Sequence, residues 1–147
     1  MTSVNGIPGG IVLNDSLDLY NLTFNGNATS EPLFVTNNGH DLNVNGNLDL
    51  KQGYLANGTI QPKNTITLGA GFGHTITQST IIPVGNVTVT NAETGHRFPN
   101  LVVNSGTTFN APANTLHFGR CNTLTYNGGT FNHNSGTIEM TSVNGIP

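Results

Sequence analysis

Few side chains in this sequence could do chemistry, and their types and spacing limit what that chemistry would be. The carboxylates are Asp15, Asp18, Asp41, Asp49, Glu31, Glu93 and Glu139. Cleaving a glycosidic bond takes two acidic groups held at a fixed separation. The one candidate pair is Asp41 with Asp49, on either side of an expected turn at Asn45-Gly46. Sparse acids among polar neighbours read more simply as solvated surface groups. With three Tyr and no Trp to stack on a sugar ring, no enzyme is expected and no catalytic residue is assigned.

Histidine offers a second possibility. His74, His96 and His117 follow one another at nearly equal steps, each close to the length of one coil, and stacked imidazoles could hold a transition metal. Side-chain parity argues against a shared face. His74 and His96 have the parity of apolar Ile76 and Phe98, whereas His117 lies between Leu116 and Phe118 and points the other way. No His-Glu-x-x-His or paired-Cys spacing supports a zinc site, and the acids are too scattered for a calcium loop. No metal and no cofactor are expected. Thr-x-Thr occurs at 65–67, 75–77, 88–90 and 123–125, but it does not recur once per coil as a water-ordering ladder would require. Outward Thr is ordinary for strands.

The elements that would position these groups are strands. The chain has 147 residues, enough for one domain. Asn (23), Thr (21) and Gly (19) make up roughly two fifths of it, and charged residues only 7%. Good helix formers other than Leu are nearly absent, while Thr, Val and Ile favour strands and Asn and Gly favour turns. The fold class is therefore all-β with no substantial helix. Lys51, Lys63, Arg97 and Arg120 are scattered singly, so the clustered charge that displaces counterions from nucleic acid is missing. No apolar run is long enough to span a bilayer as a helix. Cys121 is the single cysteine; it reads as a small buried hydrophobe, with a bridge to another copy or a reactive thiol left open.

The two ends of the sequence are the same octapeptide. Met1, Thr2, Ser3, Val4, Asn5, Gly6, Ile7 and Pro8 recur as Met140, Thr141, Ser142, Val143, Asn144, Gly145, Ile146 and Pro147. Eight identities imply a tandem array whose unit runs from Met1 to Glu139, sampled here as one unit plus an overlap. They mark these residues as the junction between copies. A weaker repetition divides the unit into halves, about 9–70 and 71–139. Leu48-Asp49-Leu50 matches Leu124-Thr125-Tyr126, Gly58-Thr59-Ile60 matches Gly136-Thr137-Ile138, and Tyr20-Asn21-Leu22 pairs with Pro99-Asn100-Leu101, at nearly constant offsets.

A shorter period runs beneath both. Apolar–polar alternation recurs at Leu22-Thr-Phe24, Leu42-Asn-Val44, Ile66-Thr-Leu68, Val87-Thr-Val89, Leu101-Val-Val103 and Leu124-Thr-Tyr126, many followed by Asn-Gly turn signals. Steps of about 20–24 residues suit a solenoid coil. The expected architecture over 1–147 is a right-handed parallel β-helix or β-solenoid of about seven coils. The alternative is a β-sandwich repeat module, whose turn signals are similarly spaced.

Segments such as Leu19-Tyr-Asn-Leu-Thr-Phe-Asn-Gly26, Val44-Asn-Gly-Asn-Leu-Asp-Leu50 and Gly136-Thr-Ile138 resemble the Asn/Thr/Gly-rich repeats of adhesin-like bacterial surface proteins with filamentous-haemagglutinin-type β-solenoids. The resemblance is one of repeat style and transfers no functional residue. It implies an extracellular or cell-surface location and a structural unit of a long fibre, stalk or sheath. The expected partners are neighbouring copies of the same repeat. A glycan- or surface-binding adhesin module is the alternative, and a tailspike-like polysaccharide-cleaving β-helix the third reading.

Overall fold

The computed structural model describes residues 9–26, 32–73, 79–119 and 122–141. Among these the chain is all strand and turn, with no helix and hence none long and apolar enough to cross a membrane. Sixteen strands wind into a three-sided column. The first turn is β1 (Gly9–Val12), β2 (Leu17–Leu19) and β3 (Leu22–Asn25), followed by β4 (Pro32–Thr36), β5 (Leu42–Val44) and the long β6 (Asn47–Leu55). Next come β7 (Thr59–Pro62), β8 (Thr65–Phe72), β9 (Thr80–Ile81), β10 (Asn86–Ala92), β11 (Asn100–Asn104) and β12 (Thr108–Asn110). The last are β13 (Thr115–Gly119), β14 (Leu124–Asn127), β15 (Thr130–Asn132) and β16 (Thr137–Thr141).

Every ladder between these strands is parallel. The first face stacks β3, the start of β6, the start of β8, β10, β12 and β15. The second face stacks β1, β4 and the ends of β6 and β8. It continues through an Arg97 N–H bond to the Phe72 carbonyl and a Phe98–Phe118 bridge into β13 and β16. The third face stacks β2, β5, β7, β9, β11 and β14. Strands β6 and β8 bend around the corner and serve two faces each, which merges the first and second faces into one eight-stranded sheet.

The fold is thus the expected β-solenoid, with about five full turns carrying the chain from β2 to β14 where about seven coils were expected. The count is lower because bulges and corner turns lengthen individual coils, the longest on the second face running from Gly9 to its partner Leu33. The alternating bursts also do not form one row. Those at Leu22, Ile66 and Val87 lie on the first face, those at Leu42, Leu101 and Leu124 on the third.

Alternation places one residue in two inside. On the third face Ile60, Ile81, Leu101 and Leu124 lie directly over one another, and all but Leu124 are fully buried. Each such side chain contributes roughly 1.5–3 kcal/mol of transfer free energy. Aromatic rings fill the upper half. Phe98 meets Phe109 and Phe118 edge to face at 5.8 and 5.6 Å, and Phe109 stacks on Phe131 at 5.6 Å.

Corners interrupt the backbone ladder, and asparagine closes the gap because its amide both donates and accepts. Asn38, Asn114, Asn122 and Asn134 donate to the carbonyls of Leu13, Ala92, Phe98 and Ala111 one turn below, at 2.7–2.8 Å. Asn38 and Asn134 take positive φ (both 50°), a conformation Asn tolerates better than most residues.

Candidate functional site

The side chains with chemical capacity fall into separate places on the column. Asp49 is on the first face in β6, where Oδ1 accepts from Thr67 Oγ1 at 2.7 Å and Oδ2 pairs with Lys51 Nζ at 3.4 Å. Asp41 precedes β5 at a different corner, where Oδ1 accepts from Gln61 Nε2 at 2.7 Å and the backbone N–H donates to Ser16 Oγ at 3.2 Å. The chain turns from the third face to the first between them, so the structure does not bring the candidate acid pair together.

Asp49 instead lines an open groove of about 550 Å³ with Asn25, Gln52, Ala70 and Glu93. The groove has a structural cause. The ladders slip at one corner in successive layers, between Phe24 and Asn25, between Leu50 and Gln52, and between Val89 and Asn91. Each slip is a β-bulge that bends its strand and re-aims side chains. Stacked bulges open a channel along the axis between the first and second faces. Glu93 is engaged there, accepting the Ala70 N–H at 3.0 Å. The groove sets carboxylate, ammonium, amide and hydroxyl groups beside the apolar stretch from Leu68 to Gly71, and its carboxylates already have partners.

The outward row on the first face is polar throughout. Asn47, Thr65, Thr88, Asn110 and Asn132 are successive register partners, linked by Thr65 Oγ1 to Asn47 Oδ1 (3.0 Å), Asn110 Nδ2 to Thr88 Oγ1 (3.2 Å) and Asn132 Nδ2 to Asn110 Oδ1 (2.7 Å). Thr and Asn interleave, so the row is a hydrogen-bonded ladder and not a regular Thr array.

Two histidines meet despite opposite parity. His96 is buried at 1% exposure while His117 is half-buried on the outer side of β13. Their rings nonetheless contact edge to face at 5.2 Å. Parity fails because His96 follows the corner at Gly95 (φ 91°) and belongs to no strand. Its Nδ1 lies 2.6 Å from the Glu93 carbonyl, and its Nε2 accepts the His117 N–H at 3.3 Å. One tautomer, neutral with the proton on Nδ1, satisfies both bonds. Burial, the largest influence, holds its pKa below the ordinary 6.5; the Glu93 carbonyl opposes this, and the charges of His117 and Arg97 reinforce it. His117 Nδ1 also sits 3.1 Å from Glu139 Oε2 in the layer above. His74 and Cys121 lie outside the described residues, as do Thr75 and Thr77. Among the described residues no group of three His, Cys, Asp or Glu is placed to hold a metal ion.

The ends of the column are its other distinctive surface. Of the residues expected at a junction, Met140 and Thr141 finish β16, and 1–8 and 142–147 lie outside the described residues. Met140 is 55% exposed and Tyr126 63%, and Leu124, Phe131 and Ile138 are only partly buried. At the opposite end Val12 and Tyr20 are exposed, and Ile11, Leu17 and Leu19 are partly buried. These residues continue strand columns that are closed in the middle layers. Sequence reasoning missed the groove, because a bulge is a mismatch between two strands and leaves no mark in either alone.

Comparison with protein-family models, with curated proteins and with solved structures finds no match.

Proposed function

We propose that this chain is a structural repeat unit of a long extracellular fibre, stalk or sheath, contributing length and stiffness and joining neighbouring copies end to end, with no catalytic role. The observation that supports this best is the parallel stacking that persists to both ends of the described residues, where core-facing columns stand incompletely covered. A solenoid layer cannot bury its open face alone, and its natural cover is another layer of the same kind. Open strand edges recruit further strands. The low charge adds to this, since a surface of Asn, Thr and Gly repels its copies weakly. The octapeptide identity supplies the copy.

Chains of one, two and four units, imaged by electron microscopy, test the reading. Thin rods should lengthen by about 30 Å per unit, from just over six layers at the strand spacing; flexible beads would overturn it. The groove at the bulged corner favours a second reading, a module that contacts glycans through carboxylate, amide and hydroxyl groups. A glycan array probed with one unit separates the two, because a pure spacer binds nothing on it.

A further inference from the structure

The two weak sequence halves do not occupy the same faces. Leu48-Asp49-Leu50 lies on the first face in β6, and its counterpart Leu124-Thr125-Tyr126 lies on the third in β14. Leu22 opens β3 on the first face, and its counterpart Leu101 lies in β11 on the third. Gly58-Thr59-Ile60 leads into β7 on the third face, and Gly136-Thr137-Ile138 leads into β16 on the second. The chain visits the second, third and first faces in that order. Each matched pair is therefore displaced by the same rotation, whole turns plus two thirds. Related sequence in this protein takes a different face when its phase demands it.

The longer period has a phase too. Up the second face the partners are Gly9 and Leu33, Leu33 and Leu55, Gly53 and Phe72, Phe98 and Phe118, and Phe118 and Met140. In a tandem array the octapeptide alone carries the chain from Met140 to the Gly9 of the following unit. Even the shortest of the turns, from Gly53 to Phe72, uses more than twice that length of chain. The octapeptide cannot complete a turn. It matches the short stretches from Gly9 to Leu17 and from Leu33 to Leu42, which carry the chain from the second face to the third.

We infer that consecutive units are rotated by one face, a third of a turn, so that β1 of each unit stacks on β14 of the unit before it and not on β16. The register also preserves the alternation. Phe118 and Met140 are register partners, and the stretch from Phe118 to Tyr126 is as long as that from Met140 to the arriving Gly9, so Gly9 stands opposite Tyr126 and Gly10 opposite Asn127. Ile11 packs on the core in its own unit while Val12 is 65% exposed, and Tyr126 is the register partner of buried Val103. The partner for this end is thus a second copy of the chain, and Tyr126 is the side chain it covers. Lateral features such as the bulged groove then recur at thirds of a turn, and three units present them on every side of the rod.

This rests on the tandem-column reading, and its test keeps the two apart. A two-unit chain, residues 1–139 joined to a second 1–147 with both Cys121 replaced by Ser, receives Asn127→Cys in the first unit and Gly10→Cys in the second. Directly opposed residues on adjacent strands fall within disulfide reach, and a short bis-maleimide tolerates a small offset. A second version carries Thr141→Cys in the first unit and Gly10→Cys in the second, which oppose each other only if units stack without rotation. Rods in which the 127–10 pair shifts wholly to the linked form while the 141–10 pair stays free are expected. Rods in which the 127–10 pair fails to link overturn the rotation and leave the column standing. Separate beads with neither pair linked overturn both.

Discussion

Replacing Asn37 with alanine tests whether corner asparagines hold the layers together. Asn37 follows β4, and its Nδ2 donates to the His40 carbonyl at 3.1 Å and the Thr59 carbonyl at 2.9 Å. Its Oδ1 accepts the N–H of Thr59, one turn further on, at 2.6 Å. One amide thus pairs with both backbone groups of Thr59, as a strand residue would. Little room exists for a replacing water, because a Cβ on the neighbouring Gly58 would meet both the Val35 carbonyl and Asn37 Oδ1. Three hydrogen bonds at 0.5–1.5 kcal/mol each give an expected loss of roughly 2–4 kcal/mol, a large part of the roughly 5–15 kcal/mol typical of a domain. The comparison is Asn110→Ala on the outer row, where Asn110 bonds Asn86 Oδ1 and Asn132 Nδ2 at 2.7 Å among exposed groups, and donates over a longer 3.2 Å to the Val87 carbonyl and Thr88 Oγ1. Water takes over there, and the loss should stay below about 1 kcal/mol. Urea unfolding followed by far-ultraviolet circular dichroism gives both values, provided the slope is unchanged between variants. If the Asn37 variant falls within about 0.5 kcal/mol of the Asn110 variant, corner amides are dispensable and the reasoning fails.

Gly58→Ala should cost about 2–5 kcal/mol, combining left-handed strain at φ 89° with a Cβ driven onto the Val35 carbonyl; Gly39→Ala, at φ 81° in open space, should lose only the strain, about 1–2 kcal/mol in the same urea titration. Because the buried His96 has a folded pKa below its unfolded 6.5, the unfolded chain binds the extra proton, and the contribution of this site to stability is present above 6.5 and lost as pH falls through it. Melting temperature should therefore drop between about pH 7.5 and 5.5, and His96→Gln should flatten that slope; an unchanged slope would refute the assignment.

The sequence by itself determined the class. Thr, Val and Ile alternating with Asn and Gly can form strands and turns and little else, and short bursts recurring at roughly even steps demand stacking, since no single coil encloses a core. It also showed that the two ends carry the same octapeptide, an identity that needs no coordinates. Inward and outward sides of Leu42-Asn-Val44 or Leu101-Val-Val103 were legible for the same reason, since strand alternation is a local property. Only the tertiary structure decided which face each burst joins, because the chain from one strand to the next turns a corner whose length varies and whose angle no residue encodes alone. It brought His96 under His117 through such a corner, separated Asp41 from Asp49 across another, and opened the groove where bulges in β6, β8 and β10 fall in line. Each of these depends on register between stretches a full coil apart in the chain, and register is set by the packing of all the layers together.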